Sequence, residues 1–308
     1  MFDIFAYSFI RNAFIAGTCV AIVAAVVGYF LIVRGLTFAG HSLAHIGFAG
    51  AAGAVFLGIH PVIGLLIFTI GSGVGIGFLA RTLRERDIAI GVVTTFTLAL
   101  GFLFLSLYRG YAEKAYSILF GTIVGISSLD STVTLIFSIL ALAVLCFLFR
   151  PLLFSSVDPE VAQARGMPVR LLSVLFLVIV AITISISVQI VGVLLIFTLL
   201  VGPAATAIRI ARTPLGAIAL SIVLGIIYIW VGIYLAAITP LNFYPLNTVS
   251  LPISFCVATI SFGVYLPVRL LSPLWLNRRR RELTAQPQPL AMQPEQAKME
   301  PEVLRSSR

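Results

Sequence analysis

The sequence predicts an all-α fold, a polytopic transmembrane helical bundle of about nine spans. Three observations predict it. Sixty per cent of the 308 residues are apolar and only 10% are charged, whereas a soluble globular chain carries ~25% charged residues. The apolar residues fall in long runs, and a helix of roughly 20 such residues crosses a ~30 Å hydrocarbon core. The basic residues gather in alternate inter-run segments, the pattern of loops on one side of a bilayer.

The first run, 12–33, is long enough to span and has no basic segment of the kind that opens a cleavable signal peptide. Runs at 42–59 and 61–80 follow, separated by an outer loop in which His60 precedes Pro61 and reads as interfacial. Both are glycine-rich, with Gly47, Gly50 and Gly53 in one and Gly71, Gly73, Gly75 and Gly77 in the other. Small residues let helices approach closely in lipid. The next runs are 88–108 and 131–149. Between them the segment YSILFGTIVGI, 116–126, is apolar but too short to cross, so a re-entrant or interfacial piece is expected. The tract 171–208 is broken only by Gln189 and Gly192. It holds either two spans, 171–188 and 191–208, or one span plus half-helices interrupted at Gly192 and Pro203. Runs 214–238 and 249–268 complete the set. A membrane domain over 1–276 is thus followed by a tail, 277–308, whose Pro, Gln and Glu content predicts disorder.

Placing the arginines of 278–281 in the cytoplasm puts every basic residue except Arg11, Arg109 and Lys114 on that side. The N-terminus is then outside and the C-terminus cytoplasmic, which an odd number of spans requires.

The net charge of +9 does not indicate a nucleic-acid partner, because the charges are not interleaved with a stacking platform of aromatic residues. Cys19, Cys146 and Cys256 are scattered through apolar runs, without a CxxC pair, and read as small apolar residues. The sequence has no P-loop, so ATP cannot bind in the Walker manner. It has no HExxH motif and no paired carboxylates within the spans; Asp87 and Asp130 lie at span ends. A transport subunit fits these features, an enzyme does not, and no resident cofactor is expected.

Two polar motifs remain. In VDPEVAQARGMPV, 157–169, Asp158 suits a helix N-cap and Pro159 the first helical position. Glu160 suits the positive helix end, and Gly166 with Pro168 suits the stop. A helix of about two turns on the cytoplasmic side follows, marginal on its own. It is either an ordinary inter-span loop or a docking helix for a cytoplasmic partner. His41 and His45, in GHSLAHIGFAG, are four residues apart and share one helical face. Ionisable groups in a span are costly, and neutral imidazoles ligate zinc and neighbouring metals. The alternative is a pair of packed or interfacial histidines.

The motifs in order resemble those of metal-ion ABC permeases of the zinc, manganese and iron uptake type. RGLTFAGHSLAHIGFAG (34–50) resembles the segment after the family's first span, and DPEVAQARGMPV (158–169) its cytoplasmic loop. VGVLLIFTLLVGPAATAIRIA (191–211) resembles its VG-LL…PAATA segment, and YSILFG (116–121) its short loop before the fifth span. The resemblance covers about residues 5–270. It implies a fold similar to that of cobalamin and siderophore permeases, in a multi-pass protein of the plasma (inner) membrane. It also implies two permease copies, cytoplasmic ABC ATPase subunits and an extracytoplasmic metal-binding protein, with the metal ion as transported substrate. The loop 157–169 becomes the ATPase-coupling element, with Asp158, Pro159, Glu160, Ala162, Gly166 and Pro168 matching the family motif. The family's second span usually begins Gly-Asp-Ala-Leu-Ser-His, and its Asp and His are metal contacts. His45 holds the His position and His41 replaces the Asp. A neutral, all-nitrogen pair leans toward zinc over manganese, although ligand type alone does not fix the metal. A secondary metal transporter or channel without an ATPase is the alternative; a membrane scaffold would leave the histidines without a role.

Overall fold

The computed structural model describes residues 8–79, 83–108, 118–121, 128–242 and 252–284, and the statements below concern these. Nine named helices run α1 (Ser8–Val33), α2 (Thr37–Phe56), α3 (Pro61–Leu79), α4 (Leu83–Ser106) and α5 (Ser128–Val157), then α6 (Pro159–Ala164), α7 (Val169–Ile210), α8 (Pro214–Asn242) and α9 (Ile253–Thr284). Each apolar run of the sequence lies largely in one of them, with α7 accommodating two. Among the described residues there is no strand.

Six of these helices, α1, α4, α5, α7, α8 and α9, are long and apolar enough to cross a membrane. The shortfall against nine has three causes. Helix α7 counts once although it holds two runs. Helix α3 is apolar throughout, but its described side chains cover only Pro61–Gly77, too short a stretch to count. Helix α2 is diluted by Gly, Ala and His, yet most of its residues are buried. It packs against α3, α4 and α7, so protein replaces lipid as its main surrounding and high hydropathy is not required of it.

Helix α7 doubles back at Gly192, whose φ of 82° and ψ of 164° are non-helical. The reversal follows from what its two legs touch. Phe176, in the first leg, meets Phe30 of α1 with ring centroids 6.2 Å apart. Leu200, in the second leg, lies so close to Gly28 of α1 that a Cβ there would come within 1.7 Å of its carbonyl oxygen. A straight helix would hold residues 176 and 200 about 36 Å apart, yet both meet α1 two residues from one another. The two-span alternative for 171–208 is therefore the observed one.

The apex needs glycine because backbone approaches backbone. A Cβ on Gly192 would lie 2.5 Å from the Gly121 nitrogen, and one on Gly121 would lie 2.6 Å from the Gly192 nitrogen. Of the expected re-entrant segment 116–126, residues 118–121 are described and supply this contact; 116–117 and 122–126 lie outside the described residues. Ser254 of α9 donates to the Phe120 carbonyl at 3.4 Å, which ties a third element to the apex.

Small residues set the close crossings elsewhere. Gly50 of α2 and Gly64 of α3 meet backbone to backbone, each leaving no room for a Cβ on the other. Gly73 and Gly77 of α3 face Leu177 and Val174 of α7, while Gly71 and Gly75 meet nothing within 4 Å. A buried hydroxyl pair, Thr69 and Ser185 at 2.6 Å, joins α3 to α7. Each hydroxyl is also within hydrogen-bonding distance of a carbonyl of its own helix, as buried hydroxyls in a bundle require.

Residues up to Val268 form one compact unit, and Arg269 onward belongs to a second. Helix α9 itself continues through the arginines of 278–281 to Thr284, past the expected start of the disordered tail at 277, because Arg, Leu and Glu are good helix formers. Residues 285–308 lie outside the described residues.

Candidate functional site

The loop between α5 and α7 is built by local signals. Asp158 has extended backbone (φ −142°, ψ 93°), and its carboxylate accepts the Val161 N–H at 3.0 Å. Pro159 fills the first helical position and Glu160 lies in the first turn. This is an N-cap with the proline and acidic residue where the helix end favours them. At the other end the Gly166 N–H donates to the Gln163 carbonyl at 3.0 Å and the Met167 N–H to the Ala162 carbonyl at 3.1 Å. These two bonds, with Gly166 at φ 79°, make a Schellman stop. The helix is six residues long, shorter than the two turns expected, because the stop closes on Ala162.

Only a narrow footing holds this helix to the rest of the chain. Ala162 is its buried residue, and Arg165 lies over the Phe154 ring of α5 with its guanidinium carbon 5.5 Å from the centroid. Asp158, Pro159, Glu160, Gly166 and Pro168 are exposed. Beneath lies a cavity of about 840 Å³, lined in part by Arg34, Ile76, Gln163, Met167 and Leu177. The loop therefore presents a capped, mostly exposed helix.

His41 and His45 lie in the early turns of α2, about 6 and 12 Å along the axis from Thr37. Their rings meet edge to face, with centroids 4.6 Å apart and planes at 84°. Phe197, in the second leg of α7, packs on His41 with centroids 4.5 Å apart. The Nδ1 atoms of both rings are buried without a hydrogen-bond partner, as is the Ser42 hydroxyl between them in sequence. Buried polar atoms normally have partners. Two adjacent imidazoles with open nitrogens have the chemistry to supply two ligands to a soft or borderline cation. Among the described residues no cluster of three or more His, Cys, Asp or Glu could complete it within the chain. His60 is exposed at the start of α3, away from the pair in sequence and at the opposite end of α2.

All the sequence-selected residues thus fall into two groups, the imidazole pair and the short capped helix. Two further residues join the groups to their surroundings. Phe197 backs His41. Arg34, the residue after α1 and three before the start of α2, donates to Ser155 at 3.0 Å and Ser156 at 3.4 Å in α5, and to Ser173 at 2.7 Å in α7. It also lies 5.7 Å from the Phe176 ring centroid. In the sequence Arg34 is a lone inter-span charge, and nothing marks the serines as its partners.

Residues 6–262 match the ABC 3 transport family. The manganese transport system membrane protein MntC of Listeria monocytogenes is 32% identical over 260 residues, covering 84% of this chain and 90% of its own. The high-affinity zinc uptake system membrane protein ZnuB of Haemophilus influenzae is 30% identical over 226 residues, covering 73% of this chain and 87% of its own. The solved structure of PsaBC from Streptococcus pneumoniae in complex with Fab superposes with a TM-score of 0.74 at 27% identity, over 86% of this chain and 92% of that one.

Proposed function

The chain belongs to the ABC 3 transport family, and we propose that it is the membrane-spanning permease of an ATP-driven importer for a divalent transition metal, with zinc favoured. The observation that carries the cargo assignment is the pair of imidazoles on α2 with buried, unpartnered Nδ1 atoms. Neutral nitrogen donors suit zinc, whereas manganese prefers harder oxygen ligands. The relative named for zinc uptake supports this choice, and the relatives named for manganese transport support manganese as the cargo instead.

Two imidazoles are too few for zinc, which takes four ligands. A second copy of this chain related by a two-fold axis near the pair would bring four imidazoles together; water molecules are the other source of ligands. A transport site must also release its ion, so incomplete ligation by the protein suits the task. Energy comes from outside the chain. Helix α6 docks into a groove of a separate cytoplasmic ATPase, and an extracytoplasmic metal-binding protein delivers the ion to the opposite end. The N-terminus then lies outside and the C-terminus in the cytoplasm.

The test is uptake by the permease reconstituted in vesicles with its ATPase and binding protein, offered zinc, manganese and iron(II) separately. The expected result is ATP-dependent accumulation with zinc above manganese. Manganese above zinc would overturn the metal assignment. Accumulation without ATP would favour the channel or secondary-transporter reading.

A further inference from the structure

We propose that Arg34 is the positioning residue that transmits movement of the coupling helix to the histidine-bearing helix α2. This inference rests on the coupling and metal roles proposed above.

Helix α6 is held to its own chain through Ala162 and the Arg165–Phe154 contact, above a cavity of about 840 Å³. A push on α6 therefore passes chiefly into the covalently adjacent ends of α5 and α7. Arg34 grips both ends at once. Nη1 donates to Ser155 and Ser156 in the last turn of α5, and Nη2 donates to Ser173 in the first turns of α7. The serines are themselves fixed, because their hydroxyls donate to Leu152 and Val169 carbonyls of their own helices. A planar guanidinium with donors in a rigid fork suits this three-way grip, and an ammonium reaches only part of it.

On its other side Arg34 is rigidly joined to α2. The Gly35 N–H donates to the Ile32 carbonyl at 3.0 Å and the Leu36 N–H to the Leu31 carbonyl at 2.8 Å, closing the end of α1. Leu36 is buried, and its carbonyl accepts the Gly40 N–H at 3.0 Å in the first turn of α2. His41 is the next residue. The path from α6 to the imidazole pair thus runs through short helix ends and hydrogen bonds, and the Arg34 side chain adds a polar link from the ends of α5 and α7 to the start of α2, beside the direct packing of α2 on α7.

The experiment measures metal ions imported per ATP hydrolysed in vesicles holding the whole complex, for wild type, Arg34→Ala and Arg34→Lys. Loss of charge-assisted hydrogen bonds of this type corresponds to about a tenfold shift or more between the gripped and slack arrangements. The ratio should fall about tenfold in Arg34→Ala, with ATPase still bound and hydrolysing, and Arg34→Lys should recover part of it. A residue that only held the fold would lower complex yield and leave the ratio unchanged, and that result overturns the proposal. If Arg34→Ala fails to insert, Ser173→Ala combined with Ser155→Ala removes acceptors without deleting a charge, and the same ratio decides. A wild-type complex without ATP-driven uptake would overturn the functional reading itself. An unchanged ratio beside a coupled wild type overturns the grip alone.

Discussion

Replacing Gly166 by valine separates backbone conformation from every other property of the coupling loop. A Cβ at Gly166 would meet nothing within 4 Å, so the substitution introduces no clash. The whole effect comes from φ, which is 79°, in the left-handed region that costs an L-residue about 1–2 kcal/mol, and a β-branched side chain is worst suited to it. If valine leaves that region, the bonds from Gly166 to Gln163 and from Met167 to Ala162 are lost. Helix α6 has six residues and no reserve of its own. A penalty of about 1–2 kcal/mol reduces the docking-competent population roughly 5–30-fold. Titration of the purified ATPase against the permease in nanodiscs should show affinity weakened by that factor. Gly166→Asn should fall in between, because Asn tolerates the left-handed region. Gly166 is exposed, so membrane insertion and elution profile should not change. Wild-type affinity in the valine variant would refute the reasoning. So would equal damage by asparagine and valine, which would point to a lost contact surface rather than backbone strain.

Three further outcomes are expected. His41→Ala and His45→Ala should each abolish metal uptake without loss of complex assembly, and His41→Asp should retain uptake with its preference moved toward manganese, read in the same vesicle assay; wild-type uptake by the double alanine variant would return both residues to a packing role. Gly192→Ala should lower the thermal midpoint of the detergent-solubilised permease, since its backbone conformation alone costs an alanine on the order of 1–3 kcal/mol and its Cβ would lie 2.5 Å from the Gly121 nitrogen; an unchanged midpoint would mean the apex is not pinned there. A reporter fused after Arg281 should be active only as a cytoplasmic reporter, and a fusion active outside would invert the orientation.

What could be read from the sequence is what local chemistry decides. The spans declare themselves by run length, and the short capped helix by Asp158, Pro159 and Gly166, whose partners all lie within eight residues. The His41–His45 pairing follows from helical spacing. Other features depend on distant partners. The fork of Arg34 closes on serines 121, 122 and 139 residues away, and the positive-inside pattern already accounted for that arginine. Phe197 reaches His41 only because α7 reverses, and Gly192 in isolation fits a kink as well as a turn. The centrality of α2 is hidden for a different reason: hydropathy measures preference for lipid, and a helix enclosed by other helices has small residues instead.

The reversal of α7 also constrains how the chain enters the bilayer during synthesis. Residues 169–210 turn within a single residue, so there is no hydrophilic loop to hold the turn in water while the legs partition one after the other. The two legs must enter as a hairpin. Its apex carries backbone groups freed from helical bonding, which are expensive to leave unpaired in an apolar surrounding. The Leu119 carbonyl and the Gly121 nitrogen, each about 2.5 Å from where a Gly192 Cβ would sit, belong to a segment that emerges earlier in translation. The receiving surface for the hairpin is thus made before the hairpin itself, and the order of synthesis matches the order of assembly that the apex demands.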